Sequence, residues 1–458
     1  MATIRENKTI VLYAVVFTSF VIPFLSAAIN VALPDIARQF SLNAVTLSWI
    51  AMSFLLSSSV FLVPFGKLAD LLGRKRIFIC GNIIVGITSL LCGLSISEGM
   101  LIGVRIIQGI GGAMMYATGM AIITHIFPPN ERGKVLGINV AAVYLGLSVA
   151  PVAGGFLTQL WGWKSIFFVL VPFEIAITIA SAVFIKPDGT KNRLEAFDFK
   201  GSAIYMLAIS ALMYGFSRLP DTNAIILSVT GVALLLWFIR VELHCTMPVM
   251  EIGLFRDNRI FAFSNLSAFI NYAATFAVAF ILSLYLQYIK GMTPRDTGLL
   301  LISQPVVMMI MATIAGRLSD KYDPRILSSI GMSIIVAGLL MLSFISEDTS
   351  RTFLIISLVV LGAGFGLFSS PNTNSVMGSV SKQYLGIASA TLGTMRLTGQ
   401  MMSLGLATLM IHLFIGESHI TPVQHPTFVT CVRLLFFIFA ILCFIGVFAS
   451  LARGKKNS

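Results

Sequence analysis

The fold is decided by a polar segment between two long apolar runs, Gly66-Lys67-Leu68-Ala69-Asp70-Leu71-Leu72-Gly73-Arg74-Lys75-Arg76. Glycine at two positions permits tight turns and close approach of neighbouring helices. Asp70 is placed to interact with a helix N-terminus or to pair with a nearby arginine. A basic run directly before an apolar one is typical of a loop at the inner face of a membrane. The segment therefore predicts a short cytoplasmic loop between two membrane-spanning helices.

The composition of the whole chain agrees with a membrane location. Hydrophobic residues make up 57% of the 458 residues and charged residues 11%, whereas a soluble globular chain carries roughly 25% charged residues. The net charge of +12 could indicate nucleic-acid binding, but that requires basic residues clustered on a water-facing domain. The sequence offers no such domain. We therefore expect the protein to interact with a lipid bilayer and not with nucleic acid.

Apolar runs of membrane-spanning length recur along the chain. A span needs about 20 mostly apolar residues in a helix, because hydrocarbon offers no partners for backbone N–H and C=O groups. The runs predict an all-α integral membrane protein with helices at residues 9–33, 46–65, 77–96, 101–127, 135–160, 165–185, 201–216, 224–241, 261–288, 297–315, 326–345, 353–370, 385–415 and 428–451. We expect a six-helix bundle at 1–185, an inserted two-helix hairpin with its linkers at 186–259, and a second six-helix bundle at 260–458.

The distribution of Lys and Arg predicts the orientation. With an even number of helices both termini lie on one side, and most of the 31 Lys and Arg residues then fall in loops on that side. Cytoplasmic loops retain these residues. We therefore expect a multi-pass protein of a bacterial or archaeal cell membrane with both termini in the cytoplasm. The first run has the length of a span and no cleavage site follows it, so it is expected to be a permanent helix.

The second half of the chain repeats a feature of the first. The segment Gly316-Arg317-Leu318-Ser319-Asp320-Lys321 follows the second predicted helix of its half, as the opening segment does. Internal duplication of this kind generates the two halves of many transporters. The residues expected to form a conformational latch are Gly66, Asp70, Gly73, Arg74, Gly316 and Asp320.

Three motifs resemble those of one transporter family. Residues 66–76 resemble the G-x-L-a-D-r-x-G-r-k motif of the major facilitator superfamily, and Arg105-Ile106-Ile107-Gln108-Gly109-Ile110-Gly111-Gly112 is similar to its R-x-x-q-G-x-g motif. The fifth predicted helix resembles the exporters' g-x-x-x-G-P-x-x-G-G motif, although Ala150 replaces the usual glycine, with the positions Gly146, Ala150, Pro151, Gly154 and Gly155. With the extra hairpin, these features resemble the fourteen-helix drug:proton antiporter family over essentially the whole chain.

The resemblance implies the major facilitator fold and export of small hydrophobic or amphipathic compounds by alternating access, with the proton gradient as energy source and no cofactor. The sequence has no P-loop that would bind ATP and no pattern typical of an enzyme, a channel or a metal site. Export of an endogenous lipid or metabolite, uptake of an organic solute, and a non-transporting membrane sensor remain as alternatives. We expect a monomer.

Ionisable residues within apolar helices are functional candidates, because burying an unpaired charge is costly. Arg105 and Glu174 lie within the fourth and sixth predicted helices, and the resemblance implies a role in proton coupling for Arg105; a structural role is the alternative. A buried acid such as Glu174 tends to hold a proton. We therefore take Arg105, Glu174 and Asp35 as candidates for proton coupling.

A departure from the family pattern concerns substrate charge. Many drug antiporters of this type have an acid in the first helix where this chain has Leu25, and Asp35 follows only at the outer end. A cavity with arginine in place of that acid would suit neutral or anionic amphiphiles. Arg396 has two interpretations: contact with substrate, or a structural role. The candidates for the substrate cavity are Gln108, Tyr144, Phe365, Asn372 and Arg396.

Overall fold

The computed structural model describes residues 8–127, 129–186, 197–219, 221–245, 248–319, 321–380, 385–416 and 420–454. In this part of the chain, fourteen helices are long and apolar enough to cross a membrane, which confirms the predicted fold class. Numbered in chain order, α1 to α14 are Lys8–Phe40, Ala44–Leu72, Arg74–Gly93, Glu98–Ile126, Pro129–Trp161, Ser165–Phe184, Phe199–Ser217, Thr222–Glu242, Arg259–Ile289, Pro294–Leu318, Pro324–Leu342, Arg351–Gly378, Leu385–Ile415 and His425–Leu451.

Several helices extend beyond the apolar runs that predict them. Helix α1 continues past the predicted end at Leu33, through Pro34, to Phe40. Helix α5 begins at Pro129, before its apolar run. The backbone continues to form hydrogen bonds within a helix after the apolar sequence ends, because charged side chains can reach the interface from the terminal turns. The length of an apolar run therefore identifies each helix but underestimates how far the helix extends beyond that run.

The two sets of six helices pack in the same pattern. Helix α1 packs on α5, while α2 and α3 both pack on α4; in the second set α9 packs on α13, while α10 and α11 both pack on α12. Glycines mark the same contacts: a β-carbon on Gly81 of α3 would lie 2.9 Å from the carbonyl oxygen of Gly111, and one on Gly331 of α11 would lie 2.7 Å from that of Gly364. The duplication predicted from one loop therefore extends through both bundles.

The hairpin formed by α7 and α8 lies against one helix from each bundle, since α7 packs on both α2 and α13. The Tyr205 hydroxyl donates to the Ser59 carbonyl oxygen of α2 at 3.1 Å. On the other side, the Phe216 ring lies against Gly405 of α13. The linker after the hairpin also reaches the first bundle, because Lys67 Nζ donates to the Pro248 carbonyl oxygen at 3.0 Å.

The two bundles join mainly at one end of the molecule. We call the end with Lys8 and Leu451 the terminal end, and the opposite end the distal end. Ser283 of α9 donates to the Asn30 carbonyl oxygen at 2.8 Å, and Gln287 donates to that of Val31 at 2.9 Å; both contacts are distal. At the terminal end of α2, no described atom lies within 4 Å of the position that a β-carbon on Gly66 would occupy. These hydrogen bonds close the distal end of the interface between the two bundles, which we call the seam.

Candidate functional site

A cluster around Arg396 lies where the two bundles face each other. Arg396 of α13 donates through Nη2 to Thr373 Oγ1 of α12 at 2.7 Å, and its guanidinium carbon lies 5.8 Å from the ring centroid of Tyr272 in α9. The Tyr272 ring meets Phe365 edge-on, with centroids 5.3 Å apart. Arg396 Nε is buried and has no hydrogen-bond partner among the described residues. The cluster therefore presents a half-buried cation with an unused donor.

The first bundle completes this cluster with two tyrosines. The Tyr144 hydroxyl of α5 donates to Ser369 Oγ of α12 at 2.7 Å, across the seam. Tyr116 of α4 lies within electrostatic range of both Tyr272 and Arg396 in the second bundle. Although it is in the middle of a packed helix, Tyr116 is 39% exposed. A residue that is interior and yet accessible lines an open space, so we take the cluster as the lining of a central cavity.

Of the five predicted cavity residues, three belong to this cluster, one is buried in α12 and one lies inside the first bundle. Tyr144, Phe365 and Arg396 belong to the cluster. Asn372 is only 1% exposed, and its side-chain oxygen has no partner among the described residues. Gln108 lies inside the first bundle instead, where it donates to Ser89 Oγ of α3 at 3.0 Å.

The sequence reasoning missed Tyr116, Tyr272, Thr373 and Ser369. These residues belong to no quoted motif. The sequence signal for Tyr116 and Tyr272 as cavity residues is a hydroxyl group within an otherwise apolar span.

Arg105 forms a buried network within the first bundle. Its side chain is completely buried; Nε donates to the Ile50 carbonyl oxygen at 3.2 Å and Nη1 donates to Gln108 Oε1 at 3.1 Å. The guanidinium also lies 4.8 Å from the centroid of the Phe54 ring. Two helices, α2 and α4, are therefore joined through one side chain, and no carboxylate among the described residues pairs with it.

Glu174 faces another helix of its own bundle. It is 1% exposed, and neither carboxyl oxygen has a hydrogen-bond partner in the described part of the chain. A β-carbon on Gly86 of α3 would lie 3.2 Å from Glu174 Cβ. The acid therefore lies between α3 and α6. Asp35, the remaining acidic candidate, pairs with Arg38 one turn later at the distal end of α1.

The opening segment forms the end of α2, a one-residue turn and the start of α3. Asp70 accepts from Arg74 Nη2 at 3.0 Å, and Arg74 Nη1 also donates to the Ala121 carbonyl oxygen of α4 at 3.5 Å. Gly66 is helical rather than part of a turn, and it is not closely packed here. In the repeat, a β-carbon on Gly316 would lie 3.1 Å from Ser370 Oγ of α12; Asp320 lies outside the described residues.

Gly73 is the turn residue of this segment, and its substitution is our first testable prediction. Its φ of 102° lies where residues with a β-carbon are strained. We expect Gly73→Ala to lower the free energy of unfolding by about 1–3 kcal/mol, measured as thermal stability of the purified protein. Gly99→Ala, in a helical turn with no described atom within 4 Å of the new β-carbon, is the control. Equal stability of the two variants would contradict strain at Gly73.

The small residues of α5 pack against two different helices. A β-carbon on Gly146 would lie 2.5 Å from the Phe20 carbonyl oxygen, and one on Gly154 would lie 3.0 Å from Ala28, both in α1. A β-carbon on Gly155 would instead lie 2.5 Å from the Pro294 carbonyl oxygen of α10, in the other bundle. Ala150 is completely buried. The motif therefore combines packing within one bundle and closure against the other.

Pro151 takes part in that closure as well. Its carbonyl oxygen lies against Gly298 of α10, at a place where that helix has no room for a β-carbon. Pro151 also lacks the N–H that would bond to the preceding turn, which permits α5 to bend here. The distal seam thus depends on backbone-to-backbone contact.

Comparison with known proteins gives the following relationships. A sequence profile of the Major Facilitator Superfamily matches residues 15–253 and 265–457. The chain is 29% identical over 457 residues to the riboflavin transporter RibZ of Clostridioides difficile (strain 630), with 99% of each chain covered. It is 30% identical over 396 residues to the multidrug resistance protein Stp of Mycobacterium tuberculosis (strain ATCC 25618 / H37Rv), covering 84% of this chain and 72% of Stp.

Among solved structures, the chain is similar to a bacterial homolog of the human lysosomal transporter Spinster in an inward-facing and unoccupied conformation. The TM-score is 0.70 at 17% sequence identity, and the alignment covers 98% of this chain and 97% of that chain. At this identity the likeness shows the fold alone.

Proposed function

Because this chain belongs to the Major Facilitator Superfamily and is a transporter rather than an enzyme, we propose that it exports small hydrophobic or amphipathic compounds, drugs among them, in exchange for protons. The observation that supports this most directly is the cluster of Arg396 and tyrosines at the seam between two similarly packed bundles. A site between two bundles that rock against each other is the arrangement of alternating access.

The distal seam supports the same proposal. Contacts between glycine and backbone close it, while Gly66 at the terminal end of α2 has no described atom within 4 Å of its β-carbon position. With both termini in the cytoplasm, as the distribution of Lys and Arg predicts, this conformation would admit substrate from the cytoplasm. The multidrug resistance protein Stp, at 30% identity, and the exporter-type motif of α5 both favour outward transport.

We assign proton coupling to Glu174, with Arg105 as a supporting residue. A buried carboxyl without a hydrogen-bond partner favours its neutral form, since the ionised form would lack solvation. The carboxyl of Glu174 lies between α3 and α6, so a movement between these helices would change its solvation and thereby its proton affinity. Asp35 is already paired at the distal surface, which makes it the weaker candidate.

One alternative has an observation in its favour. The riboflavin transporter RibZ matches the chain over 99% of both lengths, which favours a metabolite as the substrate of this chain. The transport cycle would be the same, and only the compound would differ. The experiment below therefore includes riboflavin among the compounds tested.

The proposal is tested with the purified protein in liposomes under an imposed pH gradient. Antiport moves substrate against the flow of protons, so we expect saturable accumulation of an amphipathic dye or riboflavin in vesicles with an acidic lumen. Glu174→Gln is expected to retain exchange of substrate across the membrane at equal pH but to lose accumulation driven by the gradient. The exposed acid Glu98 of α4 provides the control Glu98→Gln, which should retain both.

Two outcomes would contradict this proposal. Saturable transport by the unaltered protein that ignores the pH gradient would exclude proton antiport. Gradient-driven accumulation by Glu174→Gln at the unaltered rate would remove Glu174 from the coupling mechanism.

A further inference from the structure

We propose that the central cluster binds aromatic monoanions, with the anionic group on Arg396 and the ring against the tyrosines of both bundles. This inference rests on the proposed function, because it names the substrate class of the same transport site. It differs from the proposal above in the property that it predicts, which is the charge of the preferred compound.

Arg396 has a charge and a donor that the described residues leave unused. The guanidinium donates to Thr373 Oγ1 through Nη2, but Nε is buried and has no partner among the described residues. Arg396 forms no ion pair in that part of the chain. A guanidinium presents planar, parallel donors that match carboxylate, sulfonate or phosphate oxygens. An anion on Arg396 would supply both the missing acceptor and the missing countercharge.

No competing acid lies near the cluster in the described helices. Asp35 and Asp296 lie at the distal ends of α1 and α10, and Glu174 lies between α3 and α6. Glu242 lies at the terminal end of α8, where it accepts from the Met250 N–H at 3.1 Å. A cationic compound at the cluster would therefore meet Arg396 without a compensating carboxylate, and such repulsion is an effective way to exclude a ligand.

The aromatic side chains of the cluster favour a compound with a flat ring. Tyr272 and Phe365 form an edge-on pair beside Arg396, and Tyr116 presents an accessible ring from the opposite bundle. Aromatic side chains favour offset or edge-to-face contact with another ring. Tyr144 lies across the seam with its hydroxyl on Ser369. A flat ring between Tyr116 and Tyr272, with its anionic group on Arg396, uses each of these features.

Binding is measured first, by equilibrium dialysis on the detergent-solubilised full-length protein. The probes are a naphthalenesulfonate, its neutral sulfonamide and the permanent cation N-methylquinolinium, which resemble each other in ring size. We expect the sulfonate to bind about tenfold more tightly than the sulfonamide, since hydrogen bonds to charged groups are the stronger ones. The cation should bind most weakly.

Substitution of Arg396 then tests the cause of that preference. Arg396→Gln should lower the ratio of the two dissociation constants from about tenfold to about one, and Arg396→Lys should retain part of the preference. The matched control is Arg433→Gln, an exposed arginine of α14 that donates to the Ser343 carbonyl oxygen, and it should leave the ratio unchanged. Because a ratio is measured, a variant that is partly unfolded still reports the preference of its folded fraction.

Transport in liposomes tests whether the ionised compound itself crosses. The sulfonate carries one more negative charge than the sulfonamide, whatever the number of protons exchanged. A lumen-positive potential of about 60 mV should therefore increase accumulation of the sulfonate about tenfold more than that of the sulfonamide. The sulfonate cannot be protonated at neutral pH, so leakage of an uncharged form does not contribute.

The outcomes separate this inference from the proposed function. Tighter binding of the cation, or an unchanged ratio in both Arg396 variants, would overturn the inference even if pH-driven transport is observed. Preferential binding of the sulfonate that depends on Arg396 would support it even if no probe moves under a pH gradient, in which case the proposed antiport would fail.

Discussion

Replacing Gly298 by alanine should reduce transport to about a tenth of the unaltered rate or less. A β-carbon on Gly298 would overlap the Pro151 carbonyl oxygen across the seam, and backbone cannot move aside as a flexible side chain can. Closing the distal end requires this contact, so the variant should be confined to conformations in which that end is open. An alternating-access cycle that cannot reach one of its states carries substrate slowly or not at all.

The prediction is measured as pH-driven accumulation in liposomes, together with the distance between spin labels at Arg38 and Lys290, on the distal ends of α1 and α9. The label distance should increase in Gly298→Ala. Gly103→Ala is the matched control, because it adds the same methyl group in α4 with no described atom within 4 Å. Transport by Gly298→Ala at the control rate, with an unchanged label distance, would show that the contact is not required.

Replacing Arg105 by glutamine should impair both transport and stability. Arg105 satisfies the Ile50 carbonyl oxygen and Gln108 Oε1 at the same time, and glutamine is too short to reach both. Leaving a buried polar group such as Gln108 Oε1 without its partner costs about 1–3 kcal/mol. We expect transport below about a tenth of the unaltered rate and a melting temperature several degrees lower, since α2 and α4 lose the side chain that joins them.

The two readouts distinguish the two interpretations of Arg105. A structural role predicts that stability and transport fall together, whereas a role in proton coupling alone predicts lost transport at unaltered stability. Arg38→Gln is the control, since its ion pair with Asp35 is at the surface and surface pairs contribute about 0–1 kcal/mol. An Arg105→Gln variant that melts at the same temperature as the unaltered protein would refute the structural role.

Most of the fold could be predicted from the sequence, and the reason lies in the solvent. A bilayer requires each crossing to be a helix of set length, so apolar length alone identified all fourteen helices in the described part of the chain. The match to the Major Facilitator Superfamily confirms the resemblance first indicated by residues 66–76. The predicted helix ends were less accurate, as α1 and α5 show. The ends are set by the interface between membrane and water and by local charge.

The candidate site could be predicted only in part. Arg396, Tyr144 and Phe365 were identified as cavity residues, and the structure brings them together. Gln108 lies instead inside the first bundle, and Glu174 faces α3. In a helix that is apolar on all sides, the sequence gives no period that separates the face toward lipid from the face toward the seam or toward a neighbouring helix. The face on which a polar residue lies could therefore not be derived.

The number of helices, their duplication and the family follow from the sequence alone, because hydrophobic length and short motifs are local properties of the chain. The contacts between the bundles depend on the tertiary structure: the Tyr144 hydroxyl bonds to Ser369, the Pro151 carbonyl oxygen lies against Gly298, and Tyr116 lies within electrostatic range of Tyr272 and Arg396. Those contacts join residues that are far apart in sequence, and their geometry is set by how the two bundles dock.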